Sequence, residues 1–188
     1  MAVKHFVFGM ILFAALSFQI VAASIDKATY DKVMLLADQF GIPRSAAHWH
    51  MVEESGDRYT GQIGNARAIG KEPKGFKSHG LYAIYDEPEN LLWLLDHFWY
   101  GAGETDAFDW YNPIHNATLA FRYMAHLHEV WGGWEKAYRA YNCGWGELWR
   151  YDKISKKWVR IPQKTIDYAK RIVNAKDPSR LSTVRVGK

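Results

Sequence analysis

The sequence predicts a mainly helical α+β protein with one folded domain over residues 24–176. Three observations lead to this. Apolar residues recur at helical spacing in several segments that Gly and Pro separate. One Gly- and Lys-rich stretch has no helical period and is typical of loop or irregular β structure. The chain is 48% apolar and shows no internal repeat, which favours a single core.

Residues 1–23 are predicted to be a signal peptide or an N-terminal membrane anchor. Lys4 and His5 precede an uncharged apolar run, and Ala22-Ala23 supply small residues for cleavage. The run from Phe6 to Ala23 has 18 residues, which is marginal for a membrane span. We therefore expect export to the periplasm or cell envelope, with membrane association through this segment left open. Residues 177–188 are expected to be a polar tail.

The first two predicted helices follow the signal segment. Helical spacing runs from Tyr30 to Phe40, and Gly41 with Pro43 should end that helix. Ser45 is the predicted cap of the second helix, which should stop near Gly56.

The rest of the domain alternates irregular segments and helices. Arg58–Ser78 should be loop or irregular β structure, and Leu81–Tyr85 a short strand or turn. Asn90–Tyr100 is apolar nearly all round, which predicts a helix buried through the core. The remaining expectations are a helix opened by Asn112-Pro113, a shorter one over 134–141, a loop over 145–160 and a last helix after Pro162.

Composition and spacing argue against several function classes. The net charge of +4 is compatible with a polyanionic partner, but no nucleic-acid recognition pattern is present. The single Cys143 cannot form an intrachain disulfide. The eight His residues show no zinc spacing, and no phosphate-binding or dinucleotide motif occurs. The sequence therefore predicts no metal, no cofactor and no nucleic-acid partner.

Adjacent carboxylates at a helix end are the best candidates for chemistry. Glu53 and Glu54 point about 100° apart, so they cannot both face one cleft. The C-terminal end of a helix disfavours a carboxylate charge and would help to keep a carboxyl group protonated. Local reasoning leaves the two residues equivalent.

Four blocks in order, with a closing fifth, resemble the soluble-type lytic transglycosylase (SLT) domain, which shares the goose-type lysozyme fold. Each block is short, but their order and spacing are similar to the family pattern. They are Glu54-Ser55-Gly56, Ser78-His79-Gly80-Leu81-Tyr82-Ala83-Ile84, Asn112-Pro113 with Asn116, Ala140-Tyr141-Asn142-Cys143-Gly144, and Pro162-x-x-Thr165-x-x-Tyr168.

The resemblance implies a lysozyme-like fold and a peptidoglycan lytic transglycosylase. Glu54 would be the single catalytic acid and base, cleaving the MurNAc-GlcNAc bond with formation of 1,6-anhydro-MurNAc. Tyr141 would bring a phenol near Glu54 and orient it by a hydrogen bond. The residues implied to bind substrate are Ser55, Gly80, Leu81, Tyr82, Ala83, Asn116, Tyr141, Asn142 and Tyr168.

Two departures from the family pattern leave alternatives open. Ala83 stands where the family usually has Gln, and Cys143 stands where Ala is common. A lysozyme would need a second carboxylate, for which Asp57, Glu72, Asp86 and Glu87 are candidates. A weakly active glycan-binding module is the other alternative. Housekeeping, secretion-system and phage-virion contexts all fit the sequence.

Overall fold

The computed structural model describes residues 25–56, 62–71, 75–143, 149–152 and 157–176. The predicted signal segment 1–23 and the predicted tail 177–188 lie outside these residues. Within the described ranges, no helix combines the length and apolarity that a membrane crossing requires.

The described chain is mainly helical, with two small antiparallel sheets. The six α-helices are α1 (Lys27–Gln39), α2 (Arg44–Ser55), α3 (Pro88–Phe98), α4 (Pro113–Trp131), α5 (Trp134–Cys143) and α6 (Gln163–Val173). A 3-10 turn over Tyr100–Ala102 follows α3. The strands are β1 (Ile69–Lys71), β2 (Lys77–His79), β3 (Ile84–Tyr85), β4 (Trp149–Asp152) and β5 (Lys157–Arg160).

The start of α2 differs from the sequence prediction. The helix begins at Arg44, directly after Pro43, and no side chain caps it. Ser45 lies inside the first turn, so the prediction of Ser45 as the cap was wrong. Proline cannot donate a backbone N–H and fixes φ near the helical value, so the helix starts at once after it. The predicted stop at Gly56 is confirmed.

Helix α4 lies at the centre of the fold. The Asn112 side chain accepts hydrogen bonds from the backbone N–H groups of Ile114 and His115, and Pro113 opens the first turn, as predicted. Helices α1, α3 and α5 pack against α4, while α6 packs against α2 and α5. The main apolar core therefore joins α1, α2, α4, α5 and α6.

The two sheets lie in the segments that lacked a helical period. β1, β2 and β3 form one antiparallel sheet in chain order, with Ile69 opposite His79 and His79 opposite Ile84. β4 and β5 form a hairpin with Trp149 opposite Arg160. The prediction of loop over 145–160 was therefore wrong for the described residues, because strands of four residues are too short to establish a clear period.

Helix α3 is also placed differently from the prediction. It has no buried residue, and Leu92 keeps 61% of its surface exposed. Only one side of α3 packs on a second apolar cluster around Ile84, Trp99 and Leu119. The apolar sequence of α3 does not make it a core helix.

Candidate active site

Glu54 lies in the last turn of α2, against α6. Its side chain is 15% exposed, and its Oε1 accepts a hydrogen bond from the hydroxyl of Tyr168. One carboxyl oxygen is thus fixed by a residue that lies 114 positions later in the chain. A carboxyl group that is held and only slightly exposed can exchange a proton with a bound substrate in a defined direction.

Glu53 has a different environment from its neighbour. Its side chain is 5% exposed and both of its oxygens accept hydrogen bonds from the Arg171 guanidinium, at 2.7 Å each. Such a fork-shaped pair joins the end of α2 to α6. Because Glu53 serves this ion pair, the structure separates two residues that local sequence reasoning had left equivalent.

Two buried phenols, those of Tyr141 and Tyr168, adjoin Glu54, and their hydroxyls donate hydrogen bonds to different acceptors. Burial and the nearby Glu54 charge raise the pKa of both Tyr141 and Tyr168 well above the usual value, so both hydroxyls keep their protons. Tyr141 donates its proton to the Tyr82 carbonyl at 2.7 Å. It therefore has no second proton to offer Glu54, and the phenol that donates to the acid is Tyr168 rather than Tyr141.

Ser55 links the acid-bearing helix to the turn over residues 80–83. Its hydroxyl lies 3.1 Å from the Met51 carbonyl and 3.0 Å from the Leu81 carbonyl. Gly64 packs directly on this point, since a Cβ there would come within 1.7 Å of the Ser55 carbonyl oxygen. The end of α2 is thereby held against two other segments.

Asn116 organises the same turn from α4. Its Oδ1 accepts from the Tyr82 backbone N–H at 2.9 Å, and its Nδ2 donates to the His79 carbonyl at 3.1 Å. Gly80 has φ +80°, and a Cβ there would come within 2.3 Å of the Asn116 amide. Asn116 is fully buried, so its side chain supports the turn from below.

The predicted substrate-binding residues therefore fall into two groups. The side chains of Leu81, Tyr82 and Asn116 are fully buried and shape the turn. Ala83 is half-buried and has φ +48°, a strained value for a residue with a Cβ. Asn142 is exposed and accepts a hydrogen bond from the Thr165 hydroxyl at 2.8 Å.

His50 is a site residue that the sequence reasoning did not single out. It is fully buried, and its Nε2 lies 3.7 Å from Glu54 Oε1. Burial lowers its pKa to about 3, so the ring is neutral. The signal was available in the sequence, because residues four apart share one face of a helix.

The candidates for a second catalytic carboxylate differ in their hydrogen-bond partners, and the structure describes only two of them. Asp86 accepts from the Lys77 backbone N–H at 2.7 Å and pairs with the His79 ring at 2.9 Å, and these two bonds lower its pKa. Glu87 accepts a hydrogen bond from the Asn90 side chain. Asp57 and Glu72 lie outside the described residues. Within the described residues, no group of three or more His, Cys, Asp or Glu side chains could hold a metal ion.

Comparison with protein families identifies part of this architecture. Residues 99–161 match the family described as Transglycosylase SLT domain. This segment is therefore similar to the SLT domain. The resemblance on which the sequence analysis relied is thus confirmed. The SLT domain is lysozyme-like, and the mainly helical structure agrees with the predicted fold class.

The SLT match covers about a third of the chain, from the end of α3 to the start of α6. The matched segment includes Asn116, Tyr141 and Asn142. Glu54 lies before its first residue, and Tyr168 lies after its last. No curated protein and no solved structure matches the chain. The match supports a glycan-cleaving activity on peptidoglycan, and it does not extend to Glu54.

Proposed function

We propose that this protein is a peptidoglycan lytic transglycosylase in which Glu54 is the single catalytic acid and base. The observation that carries the proposal is the contrast at the end of α2. Glu53 is paired with Arg171, while Glu54 meets the Tyr168 hydroxyl and stays partly accessible. The SLT match supports the same reaction class.

The reaction conserves atoms without adding water. Glu54 gives its proton to the glycosidic oxygen as the bond from MurNAc C1 to that oxygen breaks, and the substrate N-acetyl group stabilises the cationic carbon. The Glu54 carboxylate then takes the proton of the sugar 6-hydroxyl, and O6 closes on C1 to form the 1,6-anhydro ring. The carboxyl group is regenerated protonated, ready for another cycle.

The single-acid reaction is also favoured over a two-carboxylate hydrolysis by the contacts of the described carboxylates. Asp86 and Glu87 are engaged with neighbouring groups. The two hydrogen bonds to Asp86 lower its pKa and so weaken it as a base, while Asp57 and Glu72 lie outside the described residues. The anhydro product is proposed on the single acid at Glu54 and on the similarity to the SLT domain.

The substrate surface, the domain limits and the location are parts of the same proposal. We assign the surface beside Glu54 to the exposed parts of Ala83, Tyr141 and Asn142, with the buried members of the predicted set shaping it from below. The catalytic domain spans residues 24–176 and acts on the wall after export, where SLT domains meet peptidoglycan.

Digestion of purified peptidoglycan followed by mass spectrometry tests the reaction. Fragments that end in anhydro-muramic acid are expected, and products heavier by one water would instead indicate a lysozyme. Glu54→Gln should lower the rate by about a thousandfold or more, because the N–H protons of an amide are too weakly acidic to be transferred to the glycosidic oxygen. Glu53→Gln is the matched control and should keep most activity. Equal losses in both variants would contradict the assignment, and glycan binding without soluble fragments would indicate a binding module.

A further inference from the structure

His50 lies directly behind Glu54 and has no role in the reaction as proposed. It precedes Glu54 by one turn of α2, and its ring is fully buried. Its Nε2 is 3.7 Å from Glu54 Oε1, which is longer than a hydrogen bond but close enough for its dipole to act on the carboxyl group, since the two side chains are 0% and 15% exposed.

The surroundings of His50 make the burial of a polar imidazole ring unfavourable in free energy. Four tyrosine rings meet it edge-on, with ring centroids 4.6 to 6.4 Å away, from Tyr82, Tyr138, Tyr141 and Tyr168. Neither ring nitrogen has a hydrogen-bond partner within the described part of the chain. Burial of an unpartnered polar group costs about 1–3 kcal/mol, so packing alone would favour an apolar residue here.

Glu54 is the group that changes charge beside this imidazole. The four surrounding tyrosines have a raised pKa because burial disfavours their charged form. Arg171, on α6, is held by Glu53 and also lies near Asp167 and Tyr168. The imidazole itself stays neutral. Of the groups beside the imidazole, Glu54 is therefore the one whose loss or gain of a proton changes the field at His50.

The contacts of Glu54 indicate which nitrogen carries the proton. Oε1 already accepts from the Tyr168 hydroxyl, so it acts as an acceptor. The favourable arrangement directs an N–H from Nε2 towards this oxygen and leaves the lone pair on Nδ1.

We propose that His50 is a positioning residue whose Nε2–H, together with the Tyr168 hydroxyl, stabilises the Glu54 carboxylate that remains after proton transfer to the glycosidic oxygen. The inference rests on the proposed function. His50 touches no substrate and acts only through Glu54. Its dipole is fixed before the reaction starts, so the stabilisation requires no rearrangement when the charge develops.

The pH dependence of kcat/KM tests this role with His50→Phe, which keeps a buried ring and removes both nitrogens. A general acid loses activity as pH rises through its pKa. Without the Nε2–H, the midpoint of this descending limb should move to higher pH by about half a unit to one unit. The plateau rate should fall by about threefold to at most tenfold, because the transition state feels no more than the full stabilisation of the carboxylate. His50→Gln, whose amide can still donate, should restore part of both.

His48→Phe is the matched control on the same helix. His48 is equally buried, but its Nδ1 pairs with the Tyr30 hydroxyl at 3.1 Å. For His48→Phe, the midpoint of the descending limb of kcat/KM should stay at the wild-type pH. An unchanged midpoint in His50→Phe, with a rate loss equal to that of His48→Phe, would overturn the proposal. A midpoint moved to lower pH would overturn it as well, because the lone pair would then face Glu54.

Imidazole nitrogen NMR on the wild-type protein gives a second readout that does not depend on variants folding. His50 should show the Nε2–H tautomer and should not titrate between about pH 5 and pH 8. An Nδ1–H tautomer, or titration in this range, would contradict the assignment. If Glu54→Gln kept its glycan cleavage, the proposed function would fail while these spectra still reported the placement of His50.

Discussion

Helices α2 and α3 have nearly equal lengths, but α2 is half buried and α3 has no buried residue. α2 has 12 residues and buries six of them, including His48 and His50. α3 has 11 residues, a more apolar sequence and no buried residue. α2 lies between α1 and α6, whereas α3 packs on α4 and leaves Leu92 exposed. Burial in this fold follows the number of neighbouring elements rather than the apolarity of the helix itself.

The first prediction concerns acid sensitivity, which should originate in α2. His50 has a usual pKa of 6.5 and a folded pKa of about 3, so between these values only the unfolded chain takes up the proton. The resulting stabilisation is fully present above pH 6.5 and is lost as pH falls towards 3. It amounts to roughly 4–5 kcal/mol. Denaturant unfolding at several pH values should show a flatter pH dependence for His50→Phe than for wild type, and an unaltered slope would contradict this account.

A core truncation in α2 should have the next largest effect. Met51 is fully buried in the main core. Met51→Ala removes apolar contacts and leaves a cavity, so the free energy of unfolding should fall by about 3 kcal/mol. Chemical denaturation measures this loss. A change below about 1 kcal/mol would mean that α2 is less firmly packed than its burial indicates.

The ion pair between α2 and α6 should contribute less. Glu53 is almost buried, but Arg171 is 44% exposed and can be rehydrated when its partner is removed. Glu53→Gln should therefore cost about 1–2 kcal/mol in thermal or denaturant unfolding. The exposed pair Lys27–Asp31 on α1 supplies the control. Asp31→Asn should change the free energy of unfolding by less than about 0.5 kcal/mol. Equal losses for Glu53→Gln and Asp31→Asn would contradict the expectation that the Glu53–Arg171 pair contributes more than the exposed Lys27–Asp31 pair.

The smallest effect is expected in α3. Leu92→Ala removes a mostly exposed side chain and introduces the best helix former, so unfolding free energy should change by no more than about 0.5 kcal/mol. The same denaturation series that includes Met51→Ala measures it. A loss comparable to that of Met51→Ala would show that α3 is a core helix after all, as its sequence had predicted.

Local signals accounted for much of the helical frame. Asn112-Pro113 predicted the start of α4 because a capping side chain and a fixed φ act within a few residues. The position of Glu54 at a helix end was readable for the same reason, since Gly56 follows it. The short hairpin of β4 and β5 was missed because its pairing joins residues that no local period connects.

The sequence by itself determined the mainly helical α+β class, most helix limits and, through the ordered SLT-like blocks, the family that residues 99–161 match. Tertiary structure decided that α3 lies at the surface, that Tyr168 rather than Tyr141 donates to Glu54, and that His50 stands behind the acid. Caps and periods act over a few residues, so the chain reveals them directly. Burial and the direction of a hydroxyl depend on elements that are distant in sequence, and only their packing fixes these features.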